Sequence, residues 1–329
     1  VAFELAFAPL PDFLPPADFL RRTIGAFGDP RVGFVQARWG HLNEGYSWLT
    51  RLQALAVDYH FLVEQPVRSR SWFTNFTGTA GVWRREAIDA AGGWSAATLT
   101  EDLDLSYRAQ LAGWRPAYLE SVVVPEELPV EVGGYRRQQA RWATGSFQTA
   151  YLVLPRLLRA DLRAGVRWQA CVHLLSYGVG PLMLLQLACY PFLLGARLQH
   201  HALPSLGSLG LLINAVSVAP WAGFMVAQAR AGRSWWRGLP AIVCQVLGAG
   251  LSLTVLGALA RSLRSGGRFE RTPKYRIERA GEEWRDSAYV RAWSPAAIPE
   301  LLVGLAALAT AVEGVRTGLW LVALYSAVF

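Results

Sequence analysis

The sequence predicts an α/β domain followed by an α-helical transmembrane bundle, and three observations carry that expectation. Residues 1–150 alternate short strand-like and helix-like segments, the pattern of an α/β domain. Charge divides along the chain: residues 1–135 hold 11 Arg against 16 Asp and Glu, whereas residues 136–329 hold 21 basic residues against 8 acidic ones. The basic half also contains three uncharged stretches, 171–196, 202–229 and 238–260, each long enough to cross a hydrocarbon core of about 30 Å. Its arginines punctuate apolar runs instead of covering a polar surface, which argues against a nucleic-acid partner and against disorder. Of the 32 basic residues 31 are arginine, a bias that base composition of the coding sequence explains better than function.

In chain order, Val1–Phe7 and Val32–Arg38 read as strands. Asp18 is placed to cap a helix through Phe27, and a longer helical stretch runs from about Asn43 to Glu64. A loop rich in Ser, Thr and Asn leads to Gly78-Thr79-Ala80-Gly81-Val82-Trp83, then a short helix ends at Gly92-Gly93. Thr100 is a candidate N-cap for a helix with Glu101, Asp102 and Asp104 in its first turn. Pro125, Pro129 and Gly133-Gly134 precede a helix containing Gln138-Gln139-Ala140-Arg141-Trp142.

Beyond residue 150 the pattern changes. Leu152, Leu154, Leu157, Leu158 and Leu162 interleave with Arg156, Arg159, Arg163 and Arg167, whose spacing puts the arginines on one helical face. Residues 151–168 therefore predict one amphipathic helix lying on an anionic membrane surface, with an ordinary surface helix as the alternative. Residues 169–329 form the transmembrane region, including shorter apolar runs at 297–312, which carries Glu300, and at 317–329. Pro181, Pro191 and Pro220 predict kinks. Arg156–Arg167 and Arg230–Arg237 place the flanks of the first two spans in the cytoplasm. The basic loop at about 261–292 would then fall outside after a third crossing. Either one apolar segment is re-entrant or interfacial, or a span boundary is misplaced. The chain opens as if on a core strand inside a domain and stops within an apolar run, so both ends read as cut.

Two groups of residues carry chemistry. In Thr100-Glu101-Asp102-Leu103-Asp104, carboxylates at a helix N-terminus are held ionised by the dipole, and one facing a cleft can take a proton from an alcohol. A capped, solvated helix start is the plainer alternative. Gln138, Arg141 and Trp142 sit at i, i+3 and i+4, so an amide, a guanidinium and an indole project from one face. Arginine suits a diphosphate through bidentate, charge-assisted bonds, and an indole offers a flat face for a sugar ring. A packing tryptophan beside a surface arginine is the alternative. Cys171, Cys189 and Cys244 lie inside apolar segments with no metal-ligand spacing and read as buried small hydrophobes. His60 and His173 read as packing or helix-face residues, His200-His201 as a loop, and His41 has no assigned role.

TED at 100–102 followed by QQARW at 138–142, just before membrane spans, resembles the processive family-2 glycosyltransferases: cellulose synthases and cellulose-synthase-like glucan or mannan synthases. Asn75-Phe76-Thr77-Gly78-Thr79-Ala80-Gly81-Val82-Trp83-Arg84-Arg85 resembles the family's substrate-lining loop and strand. Thr100 through Gly113-Trp114 resembles its catalytic helix, and Phe269-Glu270-Arg271-Thr272-Pro273-Lys274 a loop that follows the spans in the mannan-synthase-like branch. The resemblance implies a partial GT-A-like nucleotide-sugar transferase domain in front of the bundle. It implies an inverting hexosyltransferase acting on a UDP- or GDP-linked sugar and a polysaccharide acceptor, embedded in a bacterial inner membrane with its catalytic domain cytoplasmic. Asp102 would be the general base and Glu101 would orient the site. Gln138 and Arg141 would hold the pyrophosphate, Trp142 would stack on the acceptor, and Gly78, Thr79 and Thr100 would line the substrate. The family's Mg²⁺ or Mn²⁺ rests on an Asp-x-Asp at a strand end. Here Phe3-Glu4-Leu5-Ala6-Phe7 takes that place, so Glu4 offers one ligand and Ala6 none. On that ground the polypeptide is expected to be inactive in isolation. The alternatives are a transferase that glycosylates a lipid carrier, a catalytically inactive membrane homologue, and a membrane scaffold that binds a sugar polymer.

Overall fold

The computed structural model describes residues 3–6, 13–71, 73–200, 220–264, 266, 267, 272, 275, 277 and 297–329, with backbone alone for 3–6, 71 and 196–200. The α/β part runs β1 (Phe3–Ala6), α1 (Phe19–Ile24), β2 (Val32–His41), α2 (Trp48–Tyr59), α3 (Gln65–Ser71), β3 (Gly81–Arg84), α4 (Arg85–Ala90), α5 (Glu101–Leu111) and β4 (Arg115–Glu126). A 28-residue helix, α6 (Val132–Arg159), follows. The strands form one mixed sheet in the order β1-β3-β2-β4, with β2 and β4 parallel and the other pairs antiparallel. β2 is buried without interruption from Val32 to Ala37, as expected of a central strand covered on both faces. Its one polar residue there, Gln36, donates to Ala37 O and Thr79 O and accepts from Thr77 N at 2.9 Å. That amide ties the central strand to the loop at residues 77–80.

Local chemistry sets the element ends. Ser47 and Thr50 form a capping box, so α2 starts at Trp48, later than the periodicity predicts. Asn43 is used elsewhere: its side chain pairs with both N and O of Leu128, holding β2's exit loop to β4's. Between α2 and α3 the backbone makes one π turn, His60–Glu64, so the two helices form one continuous rod. Asp18 and Thr100 stand at the N-cap positions of α1 and α5, yet neither side chain makes a cap hydrogen bond, which corrects both expectations.

The predicted single helix at 151–168 is also corrected. α6 runs through Pro155 to Arg159, the chain turns at Ala160, and α7 (Ala164–Leu174) folds back so that Ala170 and Leu174 pack on Ala150, Val153 and Leu157. Arg167 donates to Ala160 O and Leu162 O across this turn. The four arginines therefore do not share one helical face; one of them closes a turn.

α8 (Val179–His200) continues from a short turn, and the apolar stretch Ser176–Gly195 is long and hydrophobic enough to cross a membrane. The predicted span 202–229 falls mainly outside the described residues. Its end is α9, residues 220–230, where Gly223 lies against Tyr59 and Gln228 donates to Asp58 at 2.9 Å. α10 (Ile242–Gly250) and α11 (Ser252–Ser262) replace the predicted straight span 238–260, and the apolar pair is bent by 48°. Its start touches the α/β domain through Cys244 Sγ and Leu52 O, and its end through Gln148 and the carbonyls of Arg264 and Gly266. By length and composition such a bent pair fits either a broken span or a re-entrant loop. Of the loop motif at 269–274, only Thr272 is described. α12 (Ala297–Arg316) is the second helix long and apolar enough to span, and α13 (Trp320–Ser326) packs against it at Gly314 and Ala323. All three cysteines are free thiols.

Candidate active site

Open α/β sheets place their sites outside the carboxyl ends of parallel strands. Here a cavity of about 370 Å³ lies against Trp39 of β2 and Glu126 of β4, the last turns of the parallel pair. One wall is a face of the α2–α3 rod. The opposite wall is built from the head of α5, the first half of α6 and the end of α7.

The site begins with how α5 meets α6. Thr100 is buried, and a Cβ on Gly145 of α6 would stand 2.4 Å from its Oγ1, so only glycine permits the contact. That contact sets the TED segment against the helix bearing Gln138, Arg141 and Trp142. Asp102, Thr100, Gln138 and Trp142 line the cavity. Glu101 is exposed beside them, and Arg141 stands near enough to Asp102 for each to perturb the other.

Burial pushes the Asp102 carboxyl up to about 7, and the like charge of Glu101 adds to the rise. The N–H of Leu103 and the Arg141 guanidinium act in the opposite direction without cancelling it. Burial in turn draws Arg141 below its ordinary value, against Asp102 and Glu101, which hold it up. A half-buried carboxylate near neutrality beside a guanidinium can take a proton at physiological pH and retain a counter-charge.

Gly78 has φ +81°, and a Cβ there would lie 3.1 Å from Asp102 Oδ2, so the loop backbone passes directly beside the carboxylate. Thr79 is buried, and its carbonyl accepts from Gln36. Ala80 follows at φ 58°, a conformation rare for a residue with a side chain. The hydroxyls of Thr77 and Thr100, both on the cavity wall, are buried without a hydrogen-bond partner among the described residues. Buried polar groups are rarely left so, and a polar ligand would satisfy them.

By residue type, the two positions that stand in place of Asp-x-Asp offer a divalent cation one oxygen-bearing side chain, Glu4, and none at Ala6. On β1, Glu4 pairs with Trp83 and Ala6 with Gly81 in the sheet, and alternate positions share a face. Among the described residues no group of three or more His, Cys, Asp and Glu could hold a metal ion.

His60 and His173 line the cavity, with Glu64 and Arg68 on the same helix face as His60. An i, i+4, i+8 spacing of His60, Glu64 and Arg68 was visible, but nothing local showed which side the rod would turn inward. His41 is buried away from the cavity against Asp58 at 2.9 Å, which also accepts from Gln228 of α9.

A sequence model described as Glycosyl transferase family group 2 matches residues 12–256. Glucomannan 4-beta-mannosyltransferase 9 of Arabidopsis thaliana is 48% identical over 136 residues, which is 41% of this chain and 26% of that protein. Glucomannan 4-beta-mannosyltransferase 1 of Cyamopsis tetragonoloba is 49% identical over the same length, again 41% of this chain and 26% of that protein. The chain thus aligns with about a quarter of the length of these curated relatives. A solved mannosyltransferase of Pyrobaculum calidifontis, in complex with GDP-Man and Mn²⁺, is a remote likeness. It is 18% identical with a TM-score of 0.39, over 76% of this chain and 59% of that one. By a family match that extends over most of its length, the chain belongs to glycosyl transferase family group 2, and its sheet domain is the GT-A-like part of that family.

Proposed function

We propose that the chain moves a hexose from a UDP- or GDP-linked sugar onto a growing polysaccharide at the membrane, with inversion at the anomeric carbon. The observation that carries this reading is a carboxylate poised near neutrality, Asp102, sharing one cavity with Gln138 and Trp142 and neighboured by Arg141. An acceptor hydroxyl meets Asp102, which takes its proton as the oxygen attacks the anomeric carbon. The bond from that carbon to the nucleoside diphosphate breaks on the opposite face, and the electron pair leaves with the diphosphate. Arg141 and Gln138 hold that developing charge. Trp142 stacks on the acceptor's terminal sugar, Glu101 sets the basicity of Asp102, and Thr100, Gly78 and Thr79 shape the donor side. No step is routed through a cation.

The relatives' names favour mannose as the sugar and a β-1,4-linked glucomannan as the product. We assign residues 1–150 to sugar transfer and 169–329 to the membrane, with α8 and α12 as spans and the sheet domain in the cytoplasm of a bacterial inner membrane. Ala6 favours a second reading, a homologue that binds without transferring. The test is purified chain in nanodiscs with radiolabelled GDP-mannose or UDP-glucose, with and without Mn²⁺. Incorporation into a product cleaved by β-mannanase, abolished in Asp102→Asn, supports transfer. Binding without incorporation supports the second reading.

A further inference from the structure

We propose that His60, Glu64 and His173 form a second polar subsite of the cavity, which hydrogen-bonds the hydroxyls of the acceptor's penultimate sugar and selects its configuration. This rests on the transfer reading above.

The helix rod turns His60, Glu64 and Arg68 to the cavity along one face. The π turn at His60–Glu64 belongs to this same stretch, and such turns recur at functional sites. His60 Nδ1 pairs with Glu64 Oε2 at 2.8 Å, and Arg68 holds Oε1 at 3.2 Å. Burial raises the Glu64 carboxyl, but His60 and Arg68 outweigh it and keep it below its ordinary value. A carboxylate has about four acceptor positions. Two are used here, and the side chain remains 29% exposed. A fixed anion with unused acceptor positions is suited to a pair of sugar hydroxyls.

His173 supplies the opposite capacity. Its Nδ1 lies 2.7 Å from the hydroxyl of fully buried Tyr107, whose other partner, Ala170 O, is more distant at 3.4 Å. We assign the short bond to the tyrosine proton, which leaves the ring hydrogen on Nε2. Burial, Arg68 and His60 keep the ring neutral. The wall therefore carries an anionic acceptor and a neutral donor.

His173 ends α7, and Ser176 and Tyr177, which begin the first membrane-crossing stretch, line the same cavity. Asp102 and Trp142 come from α5 and α6 instead. Within the proposal, the polymer runs from Asp102 along the part of the cavity wall that holds His60, Glu64 and His173, and the unit behind its reacting end meets them.

The test uses the full chain in nanodiscs. Mannohexaose binding is read by tryptophan fluorescence, GDP-mannose binding by calorimetry and melting by scanning calorimetry. Glu64→Gln is expected to weaken mannohexaose binding about tenfold while GDP-mannose binding changes less than twofold. His173→Phe should weaken mannohexaose similarly, and His173→Gln, which restores an N–H near Nε2, should recover most of it. Unchanged mannohexaose affinity in folded Glu64→Gln and His173→Phe overturns the subsite, as does an equal loss of GDP-mannose binding. If the unchanged chain binds mannohexaose with this sensitivity yet transfers no sugar, the transfer reading fails and the subsite stands.

Discussion

Gly145 of α6 meets Thr100 at the head of α5 with no room for a side chain: a Cβ would stand 2.4 Å from Oγ1 and 2.7 Å from the Thr100 backbone nitrogen. Because one of these atoms is backbone, α5 itself must shift to admit a methyl group. Gly145→Ala is expected to destabilise the chain by about 1–3 kcal/mol, the usual cost of overpacking. It should cut transfer at least tenfold, because Asp102 moves with α5. Melting temperature and initial rate, measured together, check this.

With Asp102 as the proposed base, the pH profile of kcat/KM should report its carboxyl in the free chain. The deprotonated form is then the active one, and burial sets the carboxyl at about 7, so the rate should rise with pH and level off above that value. Glu101→Gln removes a like charge that raises Asp102. The acid limb should therefore move to lower pH. A limb that stays in place or moves upward contradicts the role given to Glu101.

Gly78 offers a test of the loop independent of the carboxylate. At φ +81° any side chain is strained, and here the added carbon would press on Asp102 Oδ2. Gly78→Ala should lower kcat at least tenfold while leaving far-ultraviolet circular dichroism unchanged. Full activity in that variant would show that the loop relaxes away from Asp102.

Glu127 anchors the segment after α11. It is buried, and its Oε1 accepts from the backbone N–H of Tyr275 at 2.9 Å and of Ile277 at 3.3 Å. Bonds to a charged acceptor contribute about 1.5–3 kcal/mol each. Glu127→Gln should speed amide hydrogen exchange at Tyr275 and Ile277 at least tenfold, with exchange in β2 unchanged as the internal control.

What could be read from the sequence was what local pattern determines. Glu101 and Asp102 open the helix expected of them and QQARW lies within its own, because 3.6-residue spacing is a local property. The helix predicted at 151–168 failed for a tertiary reason. Arg156, Arg159, Arg163 and Arg167 keep helical spacing across a turn that exists because Ala170 and Leu174 fold back on Val153 and Leu157. Thr100 was read as a cap because threonine caps helices, but its hydroxyl is pressed against Gly145, which only packing reveals. His60 and His173 read as packing or helix-face residues; which face of the α2–α3 rod turns inward is not legible, because it depends on partners more than one hundred residues away in the chain. The bend between α10 and α11 is not legible for a similar reason: both halves are mainly apolar, and the break at Leu251 shows only in the folded chain.

The length of α6 has a consequence for engineering. Gln138 and Trp142 face the cavity near one end, and Val153 and Leu157 face α7 near the other, on one unbroken helix. Each inserted or deleted residue between them would rotate one set by about 100° against the other. A chimera joining this sheet domain to the membrane region of a relative must therefore conserve the residue count from Trp142 to Leu157, even where every side chain between them is exchanged.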